Sequence, residues 1–257
     1  MFYFLFELLY NEETAFRFLR IFKYITIRTG GAFVTALLIF LIFGNGMLKF
    51  LRKRKFGDKV KDYFEGKRDS KEGTPTMGGI FIYFVTMVTV LLWGNLSNPY
   101  ILVFILGTTL SFAVGFLDDL VKLKNGNGIS ARVKFLLLTV SAVIVAFCLN
   151  LIPSFETTVL IPIFKDVRIQ LGIYYYLFMV IILLATSNAV NLSDGMDGLA
   201  ASLSMISFFT LALIAYFTGN AIYSGYLNIP FIADIGELTV FAGAIVGVCL
   251  GFLWYNF

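Results

Sequence analysis

No histidine occurs among the 257 residues. That absence removes the commonest general base and the commonest metal ligand. Charge is scarce too: 14% of residues are charged, against about 25% in an average soluble domain. Only two cysteines and five prolines are present. Cys148 and Cys249 both lie inside apolar runs and read as small core hydrophobes. They exclude a disulfide scaffold and carry no signal of redox compartment. So few prolines leave room for long helices. Residues 1–10 are apolar but hold Glu7 and lack a basic leader, so they read as a segment at a membrane interface and not as a cleavable signal. What the chain does have is apolar mass: 59% hydrophobic residues, 29 of them phenylalanine, and a mean hydropathy of +0.86. There is not enough polar surface to coat a water-soluble globule, which excludes a soluble enzyme and a disordered chain. The composition is that of an integral membrane protein.

Charge-free stretches run over 30–48, 73–117, 135–155, 169–193, 198–233 and 238–257. A membrane-spanning helix needs about 20 mostly apolar residues. The second stretch is too long for one helix, and Gly-Asn-Leu-Ser-Asn-Pro at 94–99 divides it. The fifth reads as helix to Tyr216, followed by a loop containing Gly219, Asn220, Gly225, Asn228 and Pro230. The spacing therefore predicts seven helices in an all-α polytopic transmembrane bundle, a single domain over 1–257. Ten cations follow the first helix over 49–71, and four follow the third: Lys122, Lys124, Arg132 and Lys134. The other side has six: Arg17, Arg20, Lys23, Arg28, Lys165 and Arg168. Fourteen against six puts the N-terminus outside and the first, third and fifth loops in the cytoplasm. On the outer side, short β-prone runs at 157–164 and 167–171 flank Lys165-Asp166 and predict a small hairpin on the membrane. The basic stretch over 49–61 suits a helix end held against anionic membrane lipid. No internal repeat, low-complexity tract or nucleic-acid partner is indicated.

Three polar motifs open onto the predicted cytoplasmic face. Lys-Glu-Gly-Thr-Pro-Thr-Met-Gly-Gly at 71–79 enters the second helix, Asp-Asp-Leu-Val-Lys at 118–122 ends the third, and Asn-Ala-Val-Asn-Leu-Ser-Asp-Gly-Met-Asp-Gly at 188–198 joins the fifth to the sixth. Asp118 and Asp119 stand at the end of an apolar helix, where ionised side chains are costly without a partner or water. Adjacent carboxylates repel, which makes one of them a better base. If the helix continues, Lys122 returns to the face of Asp119. A charged helix end marking the membrane boundary explains one such pair, but not paired aspartates beside two further polar loops. In the third motif, two Asn and two Asp interleave with Gly195 and Gly198, a spacing that suits oxygen ligands around a hard cation. Capping of the next helix accounts for one aspartate only. In the first motif, Thr74 and Pro75 suit a helix start, Gly78 and Gly79 allow close helix or ligand approach, and Lys71 suits a phosphate contact. A lysine, a helix start, paired carboxylates and a cation-binding loop together fit phosphoryl transfer by positioning and charge neutralisation around Mg²⁺.

The runs Gly-Thr-Pro-Thr-Met-Gly-Gly, Asp-Asp-x-x-Lys and Asn-Ala-Val-Asn-Leu-Ser-Asp-Gly-Met-Asp-Gly-Leu-Ala, in this order and spacing, closely resemble the phospho-N-acetylmuramoyl-pentapeptide-transferase family. These bacterial translocases belong to the polyprenyl-phosphate sugar-1-phosphate transferases. The resemblance implies Mg²⁺-dependent transfer of phospho-MurNAc-pentapeptide from UDP-MurNAc-pentapeptide to undecaprenyl phosphate, with release of UMP, in the bacterial cytoplasmic membrane. It further implies ten helices with both termini outside, and it allows a homodimer. By position, Asp118 and Asp119 match the family's paired aspartates, with Asp118 as the base that deprotonates the lipid phosphate. Lys71 and Thr76 match residues near the nucleotide, and Lys122 belongs with the substrate-binding residues. Asn191, Asp194, Gly195, Met196 and Asp197 match the loop that holds uridine and ribose, and Asn191 also matches a metal contact of the wider superfamily.

Two departures are visible. Many relatives carry a histidine three residues before the motif lysine, where this chain has Arg68. The chain also closes on Gly-Phe-Leu-Trp-Tyr-Asn-Phe at 251–257. The resemblance places the family's third aspartate, its principal magnesium ligand, and its histidine loop beyond Phe257. The expectation is a C-terminally truncated chain that inserts in the membrane but does not turn over alone. The rival readings are a transferase of UDP-GlcNAc to the same lipid, a transporter lined by the edge carboxylates, and a non-catalytic truncated membrane protein. The Thr-Pro-Thr-Met-Gly-Gly run disfavours the first. Polar groups gathered at one face, not at mid-membrane, disfavour the second.

Overall fold

The computed structural model describes residues 1–9, 15–53, 78–153, 155–161, 167–193 and 198–256. Among them the helices are α1 (Phe2–Leu9), α2 (Ile25–Lys53), α3 (Gly78–Trp93), α4 (Pro99–Asn125), α5 (Ala131–Asn150), α6 (Tyr174–Ser193), α7 (Leu199–Thr218), α8 (Ala221–Leu227) and α9 (Leu238–Asn256). Six of these, counting α9 with the short 3-10 turn before it, are long and apolar enough to cross a membrane, and α3 is a seventh apolar helix of 16 residues. The seven predicted helices are all present, in a multi-pass all-α bundle. The last of them is described as far as Asn256, so Phe257, where the sequence closes, lies outside the described residues.

Helix boundaries follow local chemistry. The predicted break at 94–99 is a turn whose last polar residue, Asn98, caps α4. Its Oδ1 accepts from the backbone N–H groups of Tyr100 (2.9 Å) and Ile101 (3.3 Å), and Pro99 occupies the first helical position. The Asn98 amide also donates to the Asp234 carbonyl (2.8 Å), tying this turn to the approach to α9. At its other end α4 runs past the charge-free stretch to Asn125, and Gly126 closes it in the left-handed conformation with φ 73°. Ser130 then caps α5. The predicted third loop therefore shrinks to residues 126–130. Lys122 and Lys124 ride on the last turn of α4, Arg132 and Lys134 on the first turn of α5, because cations are tolerated at helix ends near the membrane surface.

The predicted hairpin forms from β1 (Thr158–Leu160) and β2 (Arg168–Gln170), antiparallel, with Val159 opposite Ile169. Its Lys165-Asp166 turn lies outside the described residues. The N-terminal segment is the short helix α1, whose Phe2 packs on Phe22 and Trp93.

Helix α9 is the axis of the bundle, 67% buried along its span, whereas α6 has no buried residue at all. Ala36, Phe40, Val85 and Val248 join α2, α3 and α9 in one cluster. Val90, Ile101, Val240 and Phe241 bring α4 onto the same core. The α2–α9 contact is close because Gly243, Gly247 and Gly251 form a line at every fourth residue. A methyl group at Gly247 would overlap the Phe33 carbonyl oxygen, and one at Gly251 would lie 2.6 Å from the Phe40 Cβ.

Arg28 corrects its placement in the loop before the first span. It lies in the first turn of α2, 1% exposed, and its guanidinium donates to both oxygens of Glu237, at 2.7 and 2.5 Å. Glu237 is itself 8% exposed, at the start of α9, and the Tyr3 ring covers the guanidinium at 4.8 Å. Two charges 209 residues apart in the sequence are one buried, bidentate pair.

Candidate active site

Asp118 and Asp119 sit near the C-terminal end of α4, where the apolar run gives way to Lys122 and Lys124. The tight connection to α5 turns the chain back so that α5 lies against α4. It also brings two donors onto Asp118. Lys134 Nζ donates to Oδ2 at 2.9 Å, and the Ile129 backbone N–H donates to Oδ1 at 2.9 Å. Both side chains are partly open, 31% exposed for Lys134 and 23% for Asp118. Gly128 makes this possible, since a side chain there would overlap Asp118 Oδ1.

Asp118 and Lys134 line one cavity of about 700 Å³, together with Asp119 and with Asn191 from the last turn of α6. Its wall on α4 runs from Val103 to Asp119, about 24 Å of helix at 1.5 Å per residue. That is most of a bilayer's roughly 30 Å hydrocarbon thickness. Gly107, Ser111 and Gly115 keep this face shallow, while Tyr83, Phe112 and Phe116 stack along it with ring centroids 4.1 and 5.6 Å apart. Among the deeper hydroxyls, Thr86, Thr108 and Ser141 donate within their own helices, to Ile82 O, Phe104 O and Leu137 O, while Tyr83 pairs with Thr109 of α4 at 2.9 Å. The charged groups gather at one end, and the rest is apolar wall.

Of the sequence candidates, the structure gathers Asp118, Asp119 and Asn191. Because α4 continues to Asn125, Lys122 does lie one turn beyond Asp119, but it is not among the residues lining the cavity. Lys71 and Thr76 lie outside the described residues, as do Asp194, Gly195, Met196 and Asp197. Gly79 lines the cavity, and a methyl there would meet nothing within 4 Å, so this position opens the site and does not serve helix packing. Asn188 is not among the residues lining the cavity, and its side-chain N–H₂ donates to Leu184 O at 2.8 Å. Lys134 is the residue that sequence reasoning misses, since it counts there only as a loop cation. The Ser130 cap is the available signal that Lys134 falls on the first turn of a helix.

Among the described residues no three His, Cys, Asp or Glu side chains come together as a metal-binding group. Two carboxylates and an amide oxygen facing one cavity suit Mg²⁺, which takes one or two carboxylates and completes its shell with water and substrate phosphates.

Residues 101–257 match the glycosyl transferase family 4, and residues 71–82 match the phospho-N-acetylmuramoyl-pentapeptide-transferase signature 1. The chain is 41% identical over 254 residues to a phospho-N-acetylmuramoyl-pentapeptide-transferase of Syntrophus aciditrophicus, covering 98% of this chain and 71% of that one. It is 41% identical over 258 residues to the enzyme of that name from Desulfotalea psychrophila, covering 100% and 71%. With the one from Thermodesulfovibrio yellowstonii the figures are 41% over 256 residues, 98% and 71%. The chain spans 71% of the length of each of these relatives. A polytopic helical bundle, paired carboxylates at one end of an intramembrane cavity and the matched signature have one reading: the chain belongs to the phospho-N-acetylmuramoyl-pentapeptide-transferase family of membrane phosphoglycosyl transferases.

Proposed function

We propose that this chain transfers phospho-MurNAc-pentapeptide from UDP-MurNAc-pentapeptide to undecaprenyl phosphate in the bacterial cytoplasmic membrane, with the charged end of the cavity facing the cytoplasm. One observation carries the reading. A single cavity joins a cluster of two carboxylates, a lysine and an amide to an apolar wall running most of the way across the bilayer. A substrate pair with one polar and one polyprenyl member needs that combination. In the reaction an oxygen of the lipid phosphate attacks the phosphorus next to the sugar. The bond to the bridging oxygen of the diphosphate breaks, and UMP leaves with that oxygen.

Asp118 is the base toward the lipid phosphate. A carboxylate has about four lone-pair sites, and Lys134 and Ile129 occupy two. The others remain for the phosphate proton. Lys134 fixes the carboxylate and adds a positive charge beside the attacking and transferred phosphates. Asn191 and the polar loop after α6 hold the nucleotide end, with Lys71, Thr76, Lys122, Asp194, Gly195, Met196 and Asp197 as further contacts. Asn191 and the Asp119 carboxylate would hold Mg²⁺, which when bound would neutralise diphosphate charge. A transporter is disfavoured because the charged groups lining the cavity gather at one end of it and not at mid-membrane. The test is UMP release with Mg²⁺ and undecaprenyl phosphate, offering UDP-MurNAc-pentapeptide and UDP-GlcNAc in parallel. It is run on the purified 257-residue chain and on a form extended to the length of the relatives. Turnover of the muramoyl substrate, and not of UDP-GlcNAc, is expected of the extended form. Preference for UDP-GlcNAc overturns the assignment.

A further inference from the structure

A second cavity, about 290 Å³, lies at the other end of the bundle. It is lined by Arg20, Lys23, Tyr24, Ile25, Thr26, Tyr216 and Asn220. Helix α7 begins at Leu199, eight residues after Asn191 in the sequence, and runs 20 residues, about 30 Å, so its Tyr216 end stands on the face opposite the phosphoryl-transfer cluster. Four features give this cavity one chemistry. Arg20 and Lys23 fall in the last turn of the 3-10 helix Ala15–Lys23 and have no carboxylate partner among the described residues. Ile25 and Thr26 begin the 29-residue helix α2, whose first N–H groups have no intrahelical acceptor. Tyr24, Tyr216 and Thr26 add hydroxyls. Asn220 spends its Oδ1 on capping α8, accepting from Ile222 (3.0 Å) and Tyr223 (3.2 Å), so the group it has left to offer is its amide N–H₂. Two cations and a set of donors, with no carboxylate in the described lining, select an anion.

The level in the membrane identifies the anion. Ile25 opens an apolar span and Tyr216 closes one, and tyrosines at such ends mark the head-group layer. A basic pocket between span ends at that depth is a head-group site. We infer that the Arg20–Lys23–Tyr216 cavity binds the phosphodiester head group of an anionic phospholipid from the leaflet opposite the phosphoryl-transfer cluster. The inference is independent of the transferase reading, because none of its residues belongs to the catalytic cavity.

Native mass spectrometry of the detergent-solubilised protein titrated with phosphatidylglycerol tests it, beside the double variant Arg20→Gln/Lys23→Gln and the variant Arg168→Gln, which removes an exposed cation of the hairpin. The parent and Arg168→Gln retain one tightly held phosphatidylglycerol. The double variant binds it about tenfold or more weakly, whereas the charge-conserving Arg20→Lys retains it. All three altered cations are exposed, so unchanged circular dichroism accompanies these results. Equal retention by the parent and the double variant overturns the site. Equal retention of phosphatidylcholine overturns the requirement for an anionic lipid. Displacement by excess inorganic phosphate overturns the assignment to a lipid in favour of free phosphate.

Discussion

Asp118→Asn separates the two things that Asp118 is proposed to do. The substitution keeps the shape but removes the charge, and leaves one oxygen where two received donors. The Lys134 ammonium and the Ile129 N–H, each 2.9 Å from a carboxylate oxygen now, must compete for that oxygen. The loser faces the new amide N–H₂, donor against donor, at a cost of about 1–3 kcal/mol if unrelieved. At a site 23% exposed, water takes up part of that loss, so stability should fall by about 1 kcal/mol or less. Catalysis should suffer more, because a positioned base contributes about 10²–10⁴-fold. The pH dependence gives the sign. A phosphate monoester loses its second proton near pH 6. Below that pH the lipid phosphate needs a base, and above it the nucleophile is already free. The expected outcome, measured by UMP release across pH 6 to 9, is a deficit of about 100-fold or more near pH 6 that narrows as pH rises. More than about a tenth of parental kcat at low pH refutes the base role. A deficit constant across the whole range refutes it as well and leaves Asp118 as a positioning group only.

Lys134→Met should lower kcat about 10²-fold, as loss of one charge-stabilising donor does. The partly exposed pair contributes little to folding, so the melting temperature in detergent should move by less than about 4 °C; unchanged turnover removes Lys134 from the mechanism. Asn191→Ala should weaken UDP-sugar binding more than lipid-phosphate binding in calorimetry, and equal losses would point to distortion of the α6 end instead. Glu237→Gln leaves Arg28 buried without its counter-charge and should destabilise the bundle by about 3–5 kcal/mol, read as a lowered melting temperature. The double variant Arg28→Met/Glu237→Leu should recover most of the loss, and a double variant as unstable as the single one contradicts a charge-based cause.

The spans were legible because each depends on one local property, an apolar run bounded by turn residues. The 94–99 break shows this at its clearest, since Asn98 and Pro99 stop one helix and start the next using only neighbours. The hairpin was legible for the same reason. What could not be read was pairing at a distance. Arg28 and Glu237 are 209 residues apart, each an ordinary membrane-edge charge until α9 docks on α2. Lys134 was hidden more simply, since the boundary of a charge-free run is not the boundary of a helix, and a cation one turn inside α5 reads as loop. The candidate site was legible as far as Asp118, Asp119 and Asn191, whose polarity at apolar helix ends has no cheap structural explanation. Lys122 looked equivalent to them by spacing. Only the rotation of α4 decides which of its last side chains line the cavity.

The contrast between α9 and α6 sets how freely each can drift in sequence. Along 243, 247 and 251 a single methyl group meets Thr29, the Phe33 carbonyl or the Phe40 Cβ, so that seam admits almost no substitution and holds α2 and α9 as one unit. Helix α6 has no buried residue. Its outward positions need only remain greasy, and a change of shape there has no neighbour to offend. Variation among descendants of this chain should therefore pool on α6 above Asn191, while the glycine line stays frozen. A ligand or inhibitor shaped to the α6 wall would meet a surface that mutates at little cost. One shaped to the Asp118, Lys134 and Gly128 corner would meet a surface where each change also breaks a contact the protein needs.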